Sequence, residues 1–284
     1  MIDFIEEKLK EIKLTTKEKA VLEYLTTNEK NACFQSAEEI SRLLQVSPST
    51  VIRLSAKLGF DNFTKLKKHL QKNAVFSDSE DLISEIPYEK IKNYENLSDH
   101  DLLSALYQNI DTNIKKDQES GQSEKYSAAA DLLSHAERVY IVGFRACYGL
   151  ASTFGIMLSC IRSNVIVVGQ HQPVIDSLID AGPKDAAVLL SFKRYSKETA
   201  FASQIARDGG CPVIAITDSL VSPIAENASV LLINNVDNFT FHNSYVSTMM
   251  NLELLAGLLS KRNRSENLER LMRMEQYLDQ TNQY

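Results

Sequence analysis

The sequence predicts an α/β protein in which an all-helical N-terminal domain precedes a doubly wound, five-stranded parallel sheet. From residue 138 onward, short β-branched runs alternate with helical stretches, which is typical of a parallel sheet covered on both faces. The first 77 residues carry 13 basic and 10 acidic side chains, a net of +3, so the total of −6 leaves −9 for the remainder. A length of 284 residues is enough for two domains.

The composition is that of an ordinary globular protein, with 44% hydrophobic and 24% charged residues, which excludes the disordered, fibrous and membrane classes. The chain begins with acidic residues where a signal peptide needs basic ones, and it contains no apolar run of about 18 residues. Its four cysteines are far apart, and no histidine lies at metal-ligand spacing. We therefore expect a cytoplasmic protein with reduced thiols and without a membrane partner, metal or cofactor.

Helix-start signals define the N-terminal domain, which we place at residues 1–77. Two capping boxes, Thr15 to Glu18 and Ser36 to Glu39, predict the starts of two helices. Apolar residues at helical spacing then predict the buried faces: Ala20, Val21, Tyr24 and Leu25 in the first helix, and Ile40, Leu43 and Leu44 in the second.

A third helix is predicted from Pro48 to Leu58. Ser47 suits an N-cap, proline suits the first helical position, and Gly59 suits a C-terminal cap. The turn before it is short, and Gln45 stands where such turns often have glycine. Two helices joined by a three-residue turn predict a helix-turn-helix, and the residues expected to pack across the turn are Ile40, Ser41, Leu44, Val46, Val51 and Leu54.

The outer side of the third helix predicts contacts with DNA. Near the N-terminus of a recognition helix, side chains reach base edges or phosphates, and arginine can bond guanine bidentately. Further basic residues continue as far as Lys72, where we expect salt-dependent phosphate contacts. A helical domain that binds protein is the alternative. The candidate DNA-binding residues, which we expect to point away from Val51 and Leu54, are Ser49, Thr50 and Arg53, together with Ser47 and Lys57.

Residues 78–124 are predicted to form a linker and a connecting helix. The stretch from Ser77 to Asp81, with Pro87, is typical of a flexible exit, and we expect a hinge near 78–96. A helix then opens near Ser98. Its apolar residues, which are expected to pack on the second domain or on a partner subunit, are Leu102, Leu103, Leu106, Ile110 and Ile114.

The second domain is placed at residues 125–284 and ends in a helix whose apolar side chains include Leu268, Leu271, Met272 and Leu278, packed on this domain or across a subunit boundary. Ligands of such folds bind at the carboxyl ends of the strands, where the strand order reverses. The five apolar runs that predict strands are Val139 to Val142, Val165 to Val168, Ala186 to Phe192, Val213 to Thr217 and Val230 to Ile233.

Two loops at these carboxyl ends predict an anion site. The first begins at Gly143 and leads into a helix whose N–H groups and dipole favour an anion, while Arg145 adds a full charge. The second contains Lys193 and Arg194, with Ser196 as the predicted N-cap of the next helix. Purely structural roles remain open: a turn glycine, an arginine paired with a neighbouring acid, or a solvated basic turn.

Polar residues also follow the later strands. We interpret Asp218 and Ser222 as turn and cap residues. His242, within the stretch from Phe241 to Ser244, is the nearest candidate for acid/base chemistry, although a lone histidine is more often structural.

The order of these parts resembles the RpiR (MurR) family of bacterial transcription regulators, in which a helix-turn-helix is joined to a sugar isomerase (SIS) domain. The resemblance covers nearly the whole chain and rests on residues 37–40, 46–53, 58–60, 142–151, 191–199, 214–219 and 222–223. It implies a phosphosugar effector bound by the loops after the first and third strands.

The two loops depart from the family pattern, which usually has glycine at 145, serine at 147, and serine and glycine where Lys193 and Arg194 stand. The ligand is therefore expected to be a different anion, or a phosphosugar gripped by arginine. The candidate effector-binding residues are Gly143, Arg145, Ala146, Cys147, Ser191, Lys193, Arg194, Ser196 and Ser244.

We therefore predict a regulator of carbohydrate metabolism, not an enzyme, that binds double-stranded operator DNA as a homodimer or homotetramer. A phosphosugar isomerase with the same fold is the alternative. It needs a general base, and the only carboxylate in the two loops is Glu198. A regulator whose sensor has lost its ligand is a third possibility.

Overall fold

The structure is a computed structural model, and it describes residues 12–28, 32, 35–67, 87–170 and 172–281. The chain divides into two compact units. The first contains residues 1–82 and Ser219–Val221, and the second contains residues 83–218 and 222–284. Several predictions lie outside the described residues, namely those for 78–86 of the linker, for Cys33 and for the lysines at 68 and 72. The exact domain boundaries predicted above stay a prediction.

The first unit is helical, with α1 at Thr16–Thr27, α2 at Ala37–Leu43 and α3 at Pro48–Lys57. Both predicted capping boxes are confirmed. The Glu18 carboxylate accepts the Thr15 backbone N–H at 2.8 Å, and the equivalent bond from Ser36 to Glu39 is 2.6 Å. These bonds fix the starts of α1 and α2 by satisfying N–H groups that the helices cannot use.

The core of this unit contains most of the predicted apolar residues, including Ile40, Val51 and Leu54. Two predictions are wrong: Ala20 is exposed, and Leu43 is 40% exposed. Leu22 is fully buried in place of Ala20. Successive helical residues lie about 100° apart, so a shift of one position moves a side chain from the core to the surface.

The helices α2 and α3 end in the same way. After α2, the Val46 N–H donates to the Ser41 carbonyl at 2.9 Å, and Gln45 between them has a φ of 52°. After α3, the Phe60 N–H donates to the Ser55 carbonyl at 2.9 Å, and Gly59 has a φ of 88°. The predicted glycine cap is confirmed, whereas Gln45 holds a left-handed conformation at a cost of about 1 kcal/mol.

The second unit is a three-layer α/β fold around one parallel sheet with strand order β2-β1-β3-β4-β5. All five predicted strands are confirmed, with β3 ending two residues earlier than predicted. The strands are β1 Val139–Gly143, β2 Val165–Val168, β3 Ala186–Leu190, β4 Val213–Thr217 and β5 Val230–Ile233. The helices are α4 Asp99–Glu119, α5 Ser123–His135, α6 Ala146–Ile161, α7 Val174–Leu178, α8 Lys197–Asp208, α9 Val246–Ser260 and α10 Arg264–Thr281. A short helical segment lies at Pro87–Lys90, and 3₁₀ turns lie at Ile91–Asn93 and Ala225–Asn227.

In two helices of this unit, α4 and α10, the most buried side chains are polar. On α4, the buried residues are Asn113 and Asp117, while Leu103 of the predicted apolar stripe is 57% exposed. On α10, Asn267 is buried and Met272 is 58% exposed. The other four apolar residues of the predicted α4 stripe, Leu102, Leu106, Ile110 and Ile114, are half-buried, and packing of the exposed residues against a partner subunit stays a prediction.

Candidate functional site

The predicted recognition helix α3 presents Ser49, Ile52 and Arg53 to the surface. Thr50 is only 2% exposed, so the expectation that it points outward is wrong. The Ser47 hydroxyl lies 2.8 Å from the Ser49 hydroxyl and 2.9 Å from that of Thr50, which ties these side chains to the turn. Sequence reasoning missed Ile52, which is 50% exposed and suits contact with a thymine methyl group.

The Lys57 side chain forms contacts within the first unit. Its ammonium group lies 2.8 Å from the buried Glu18 carboxylate and donates to the Lys13 carbonyl at 2.9 Å. Burial alone would raise the pKa of Glu18, but hydrogen bonds from Lys57 and Thr15 hold that pKa below its usual value. The phosphate contact expected of Lys57 stays a prediction. Lys65, in the same basic stretch, is paired with Asp61.

The two predicted anion-binding loops lie side by side in the second unit. The strand order reverses between β1 and β3, which are hydrogen-bonded neighbours with Gly143 in register with Leu190. The loops that follow these strands therefore open at the switch point, where α/β sheets of this order bind their ligands. This adjacency is a property of the sheet topology, which the sequence pattern alone did not provide.

Gly143 has a packing role at this edge. A Cβ atom added to it would lie 2.5 Å from the Cys147 carbonyl oxygen, so only glycine lets the end of β1 approach the first turn of α6 so closely. A structural role of this kind was one of the alternatives open from the sequence. Its contact with an effector stays a prediction.

Arg145 and Arg194 both adopt backbone conformations that favour glycine. Arg145 has a φ of 54° and a ψ of −127° at the N-cap of α6, and Arg194 has a φ of 68° before α8. Both side chains are exposed, and neither forms an ion pair with any residue that the structure describes. Residues held in such conformations cost about 1–3 kcal/mol each and are concentrated at ligand-binding sites.

A buried cluster joins these loops. The Cys147 thiol, in the first turn of α6, lies beside the Phe192 backbone and the Tyr245 hydroxyl. Burial raises the pKa of Cys147 to about 11, so the thiol is neutral near pH 7. The Phe192 and Tyr245 rings lie 5.5 Å apart. The loops after β1 and β3 therefore meet the segment that precedes α9.

Asp218 adds the loop after β4 to this cluster. Its carboxylate accepts the Lys193 backbone N–H at 3.3 Å. Burial raises the pKa of Asp218 to about 6, although the Lys193 charge and the neighbouring Lys193 N–H and Tyr195 side chain act in the opposite direction. Asp218 therefore positions the loop that carries Arg194, a role beyond that of the turn residue expected from the sequence.

The remaining predicted residues have mixed placements. Ser196 is confirmed as the N-cap of α8, since its hydroxyl accepts the Thr199 N–H at 3.1 Å and donates to Glu198 at 2.7 Å. Ser191 and Ser244 are buried, and Ala146 is exposed. Near them, the buried Thr199 hydroxyl has no hydrogen-bond partner within the described part of the chain.

Sequence reasoning missed Tyr195 and Tyr245, because an isolated tyrosine in a loop carries no periodic or motif signal. His242 is exposed, and its ring lies 5.4 Å from that of Tyr245. Among the residues with described positions, no group of three His, Cys, Asp or Glu side chains is placed to hold a metal ion. Over the same residues, no helix has the length and apolar character needed to cross a membrane.

Comparison with known families identifies both units. A profile described as "Helix-turn-helix domain, rpiR family" matches residues 4–76, and one described as "SIS domain" matches residues 132–258. A helix-turn-helix joined to a SIS domain defines a class of transcriptional regulators. The chain belongs to the RpiR family of that class, as the resemblance in sequence predicted.

Individual relatives agree with this assignment. An uncharacterized HTH-type transcriptional regulator of Haemophilus influenzae is 26% identical over 225 residues, which is 78% of this chain and 75% of the relative. The sugar isomerase domain of an RpiR transcription factor from Sphaerobacter thermophilus has a TM-score of 0.59 at 24% identity, over 62% of this chain and 98% of that domain. Vibrio vulnificus NanR, solved with ManNAc-6P, has a TM-score of 0.58 at 15% identity over 93% and 94% of the two chains.

Proposed function

We propose that this regulator binds the operator DNA of carbohydrate-metabolism genes and changes its affinity when a phosphorylated sugar or related anion occupies the SIS domain. The observation that carries the effector proposal is the pair of arginines at the β1/β3 switch point. Arg145 and Arg194 are exposed, have no described ion-pair partner and hold strained backbone conformations. A typical coupling of about 1–3 kcal/mol corresponds to a change in DNA affinity of about 5- to 150-fold.

The proposed effector site combines three kinds of anion donor. The guanidinium groups of Arg145 and Arg194 supply charge, the N-termini of α6 and α8 supply free N–H groups, and the Thr199 hydroxyl supplies a buried polar atom without a described partner. The binding of ManNAc-6P by NanR, which has a similar fold, favours a phosphosugar. We include in the site Gly143, Ala146, Cys147, Ser191, Lys193, Ser196 and Ser244.

For DNA, we propose that Arg53 and Ile52 read base edges in the major groove and that Ser49 contacts the backbone. A homodimer or homotetramer that presents two such helices requires half-sites about 34 Å apart, one turn of DNA. Lys57 is a weaker candidate, because its ammonium group is paired with Glu18.

The DNA proposal is tested by titrating fluorescently labelled DNA from the gene's own promoter region at two salt concentrations. We expect a sequence-specific complex that Arg53→Ala weakens by about 1–3 kcal/mol, with relaxed specificity. Arg42→Ala is the matched control, since Arg42 is exposed on α2 and not on α3. Its loss should weaken all sequences equally. The absence of a specific complex at both salt concentrations would overturn the proposal.

The effector proposal is tested by thermal denaturation with a panel of sugar phosphates. Inorganic phosphate and the unphosphorylated sugars serve as controls. A ligand at 100 times its Kd should stabilise the protein by about 2.7 kcal/mol. If no member of the panel raises the melting temperature above the controls, the sensor does not bind a phosphosugar.

A phosphosugar isomerase is the second candidate function, and one observation favours it. Asp218 is a partly buried carboxylate at this edge with a pKa raised to about 6, in the range of a general base. One of its oxygens accepts the Lys193 N–H, however, and the other lies 3.4 Å from the Thr217 hydroxyl, which favours a positioning role. Turnover of a hexose or pentose phosphate that Asp218→Asn abolishes would establish the enzyme.

A further inference from the structure

We propose that residues 234–245, here called the β5 loop, couple effector binding to the position of the connecting helix α4. Asp117 is the positioning residue that holds this loop against α4. The inference rests on the proposed function and adds the structural element through which an effector acts. It follows from the contacts of this one loop, which joins the two regions within the second unit.

The first half of the β5 loop is held by Asp117 of α4. One oxygen of this buried carboxylate accepts the Asn235 backbone N–H at 2.8 Å and the Asn235 side-chain N–H at 2.6 Å. The other accepts the Asn251 side chain of α9 at 2.8 Å. A buried carboxylate that receives three N–H groups has a fixed geometry, because each bond constrains the same rigid group.

Further bonds tie the same half of the loop to α4 and the segment before it. The Asp237 carbonyl accepts the side chains of Asn109 at 2.7 Å and Asn113 at 2.8 Å, and the Asp237 carboxylate lies 3.2 Å from the Lys116 ammonium group. Lys90 donates to the Asn238 carbonyl at 3.0 Å. The loop therefore follows any displacement of residues 90–117.

The two ends of the β5 loop reach the effector site. At its start, the Asn234 N–H donates to the Thr217 carbonyl at 2.8 Å, next to Asp218. At its end, the Tyr245 ring lies 5.5 Å from the Phe192 ring, and the Tyr245 hydroxyl lies beside the Cys147 thiol. An anion that draws Arg145 and Arg194 together moves the residues that Tyr245 contacts.

The way in which α4 is attached suits a switch. Its fully buried residues are Asn113 and Asp117, while its apolar residues Leu102, Leu106, Ile110 and Ile114 are only half-buried. Directional hydrogen bonds permit a small number of discrete arrangements, and such elements carry coupling between sites. Along the chain, α4 follows the segment that leads from the helix-turn-helix. A change in the position of α4 is therefore the response that effector binding produces.

The test uses amide hydrogen exchange of the full chain, with and without a sugar phosphate, monitored in peptides covering 99–119 and 191–199. The probe is the strongest stabiliser among glucose 6-phosphate, N-acetylglucosamine 6-phosphate, ribose 5-phosphate and 6-phosphogluconate. We compare the wild type with Asp117→Asn. The matched control is Asp185→Asn, which alters another buried carboxylate that accepts several N–H groups, at the opposite edge of the sheet.

We expect the probe to protect both peptides in the wild type and in Asp185→Asn, but only 191–199 in Asp117→Asn. The response of DNA affinity to the probe should fall in Asp117→Asn from about fivefold or more to less than about twofold. Protection of 191–199 without protection of 99–119 in the wild type overturns the inference alone, as does an unchanged response in Asp117→Asn. Absence of protection at 191–199 overturns the proposed function itself.

A milder pair of variants covers the case in which Asp117→Asn does not fold. Asn109→Ala with Lys116→Ala removes two tethers of Asp237 on the exposed side of α4. Its control is Asp131→Ala, which breaks an ion pair with Arg262 away from the loop. A reduced response of DNA affinity in the double variant but not in Asp131→Ala supports the inference, and equal responses in both contradict it.

Discussion

The two edges of the parallel sheet use arginine in opposite ways. At the amino-terminal edge, Arg138 donates from Nε and Nη2 to the buried Asp185 carboxylate at 3.0 and 2.8 Å, and Arg162 donates to carbonyls at the end of α5. At the carboxyl-terminal edge, Arg145 and Arg194 have no ion-pair partner among the described residues and hold strained backbones. The first edge is built for stability, and the second keeps its cations available.

The comparison also separates two kinds of carboxylate. Burial would raise the pKa of Asp185, but bonds from Arg138 and Gly182 outweigh it and leave the pKa below the usual value. Asp218 lacks a guanidinium partner, and burial raises its pKa to about 6. Stability at one edge and electrostatic strain at the other therefore follow from where the arginines are paired.

The largest expected change in stability comes from a substitution at the amino-terminal edge of the sheet. Arg138→Ala should destabilise the second unit, because it leaves the buried Asp185 carboxylate without its cation. Because Asp185 has a lowered pKa in the folded protein, its contribution is present above the unfolded pKa and is lost as the pH falls through the folded one. Urea denaturation at several pH values should show the difference between wild type and variant shrinking as the pH falls, because protonation of Asp185 removes the charge that Arg138 stabilises. Equal stability of the wild type and Arg138→Ala at neutral pH would show that the arginine at this edge does not stabilise the fold.

The next effect concerns Asp218. Its pKa is raised in the folded protein, so the cost of keeping it ionised is absent below about pH 4 and grows as the pH rises through 6. Asp218→Asn should therefore be more stable than the wild type by about 2 kcal/mol at pH 7 and equally stable near pH 4. Thermal denaturation across this range measures the difference. A variant that is less stable at pH 7 would show that the carboxylate contributes more to the loop than its burial costs.

For Arg145→Gly and Arg194→Gly, we expect a smaller change in stability, which is a gain, together with a loss of the response to ligand. Glycine adopts both backbone conformations freely, so each variant should gain about 1 kcal/mol of stability. Each should also lose most of the melting-temperature increase caused by a sugar phosphate. A gain of stability with an undiminished ligand response would exclude that arginine from the site, since folding could not explain the result.

The smallest effect is expected for Asn164→Gly, which serves as the control for the two arginine variants. Asn164 precedes β2 at the amino-terminal edge and has a φ of 57°. Asparagine tolerates this conformation better than arginine, so the stability should change by less than about 0.5 kcal/mol. The response to a sugar phosphate should be unchanged. A loss of response would mean that backbone changes far from the crevice disturb it, and the glycine variants would need reinterpretation.

The sequence allowed the elements to be predicted well because their signals are local. Capping boxes, a glycine cap and β-branched runs each act within a few residues, and Thr15, Ser36 and Gly59 are found in the predicted roles. Errors occurred where two faces of one helix compete for burial, as for Ala20 and Thr50. On α4, the sequence pattern did not indicate that the polar residues Asn113 and Asp117 are the most buried.

By itself, the sequence determined the two-domain order, the five parallel strands and the cationic loops after β1 and β3. Only the tertiary structure decided that these loops are neighbours, that Asp218 and Tyr245 join them, and that Lys57 is paired with Glu18. Local conformation depends on nearest neighbours along the chain, whereas a site is assembled from residues nearly 100 positions apart, such as Cys147 and Tyr245. Their proximity arises from strand order and packing, which no local pattern encodes.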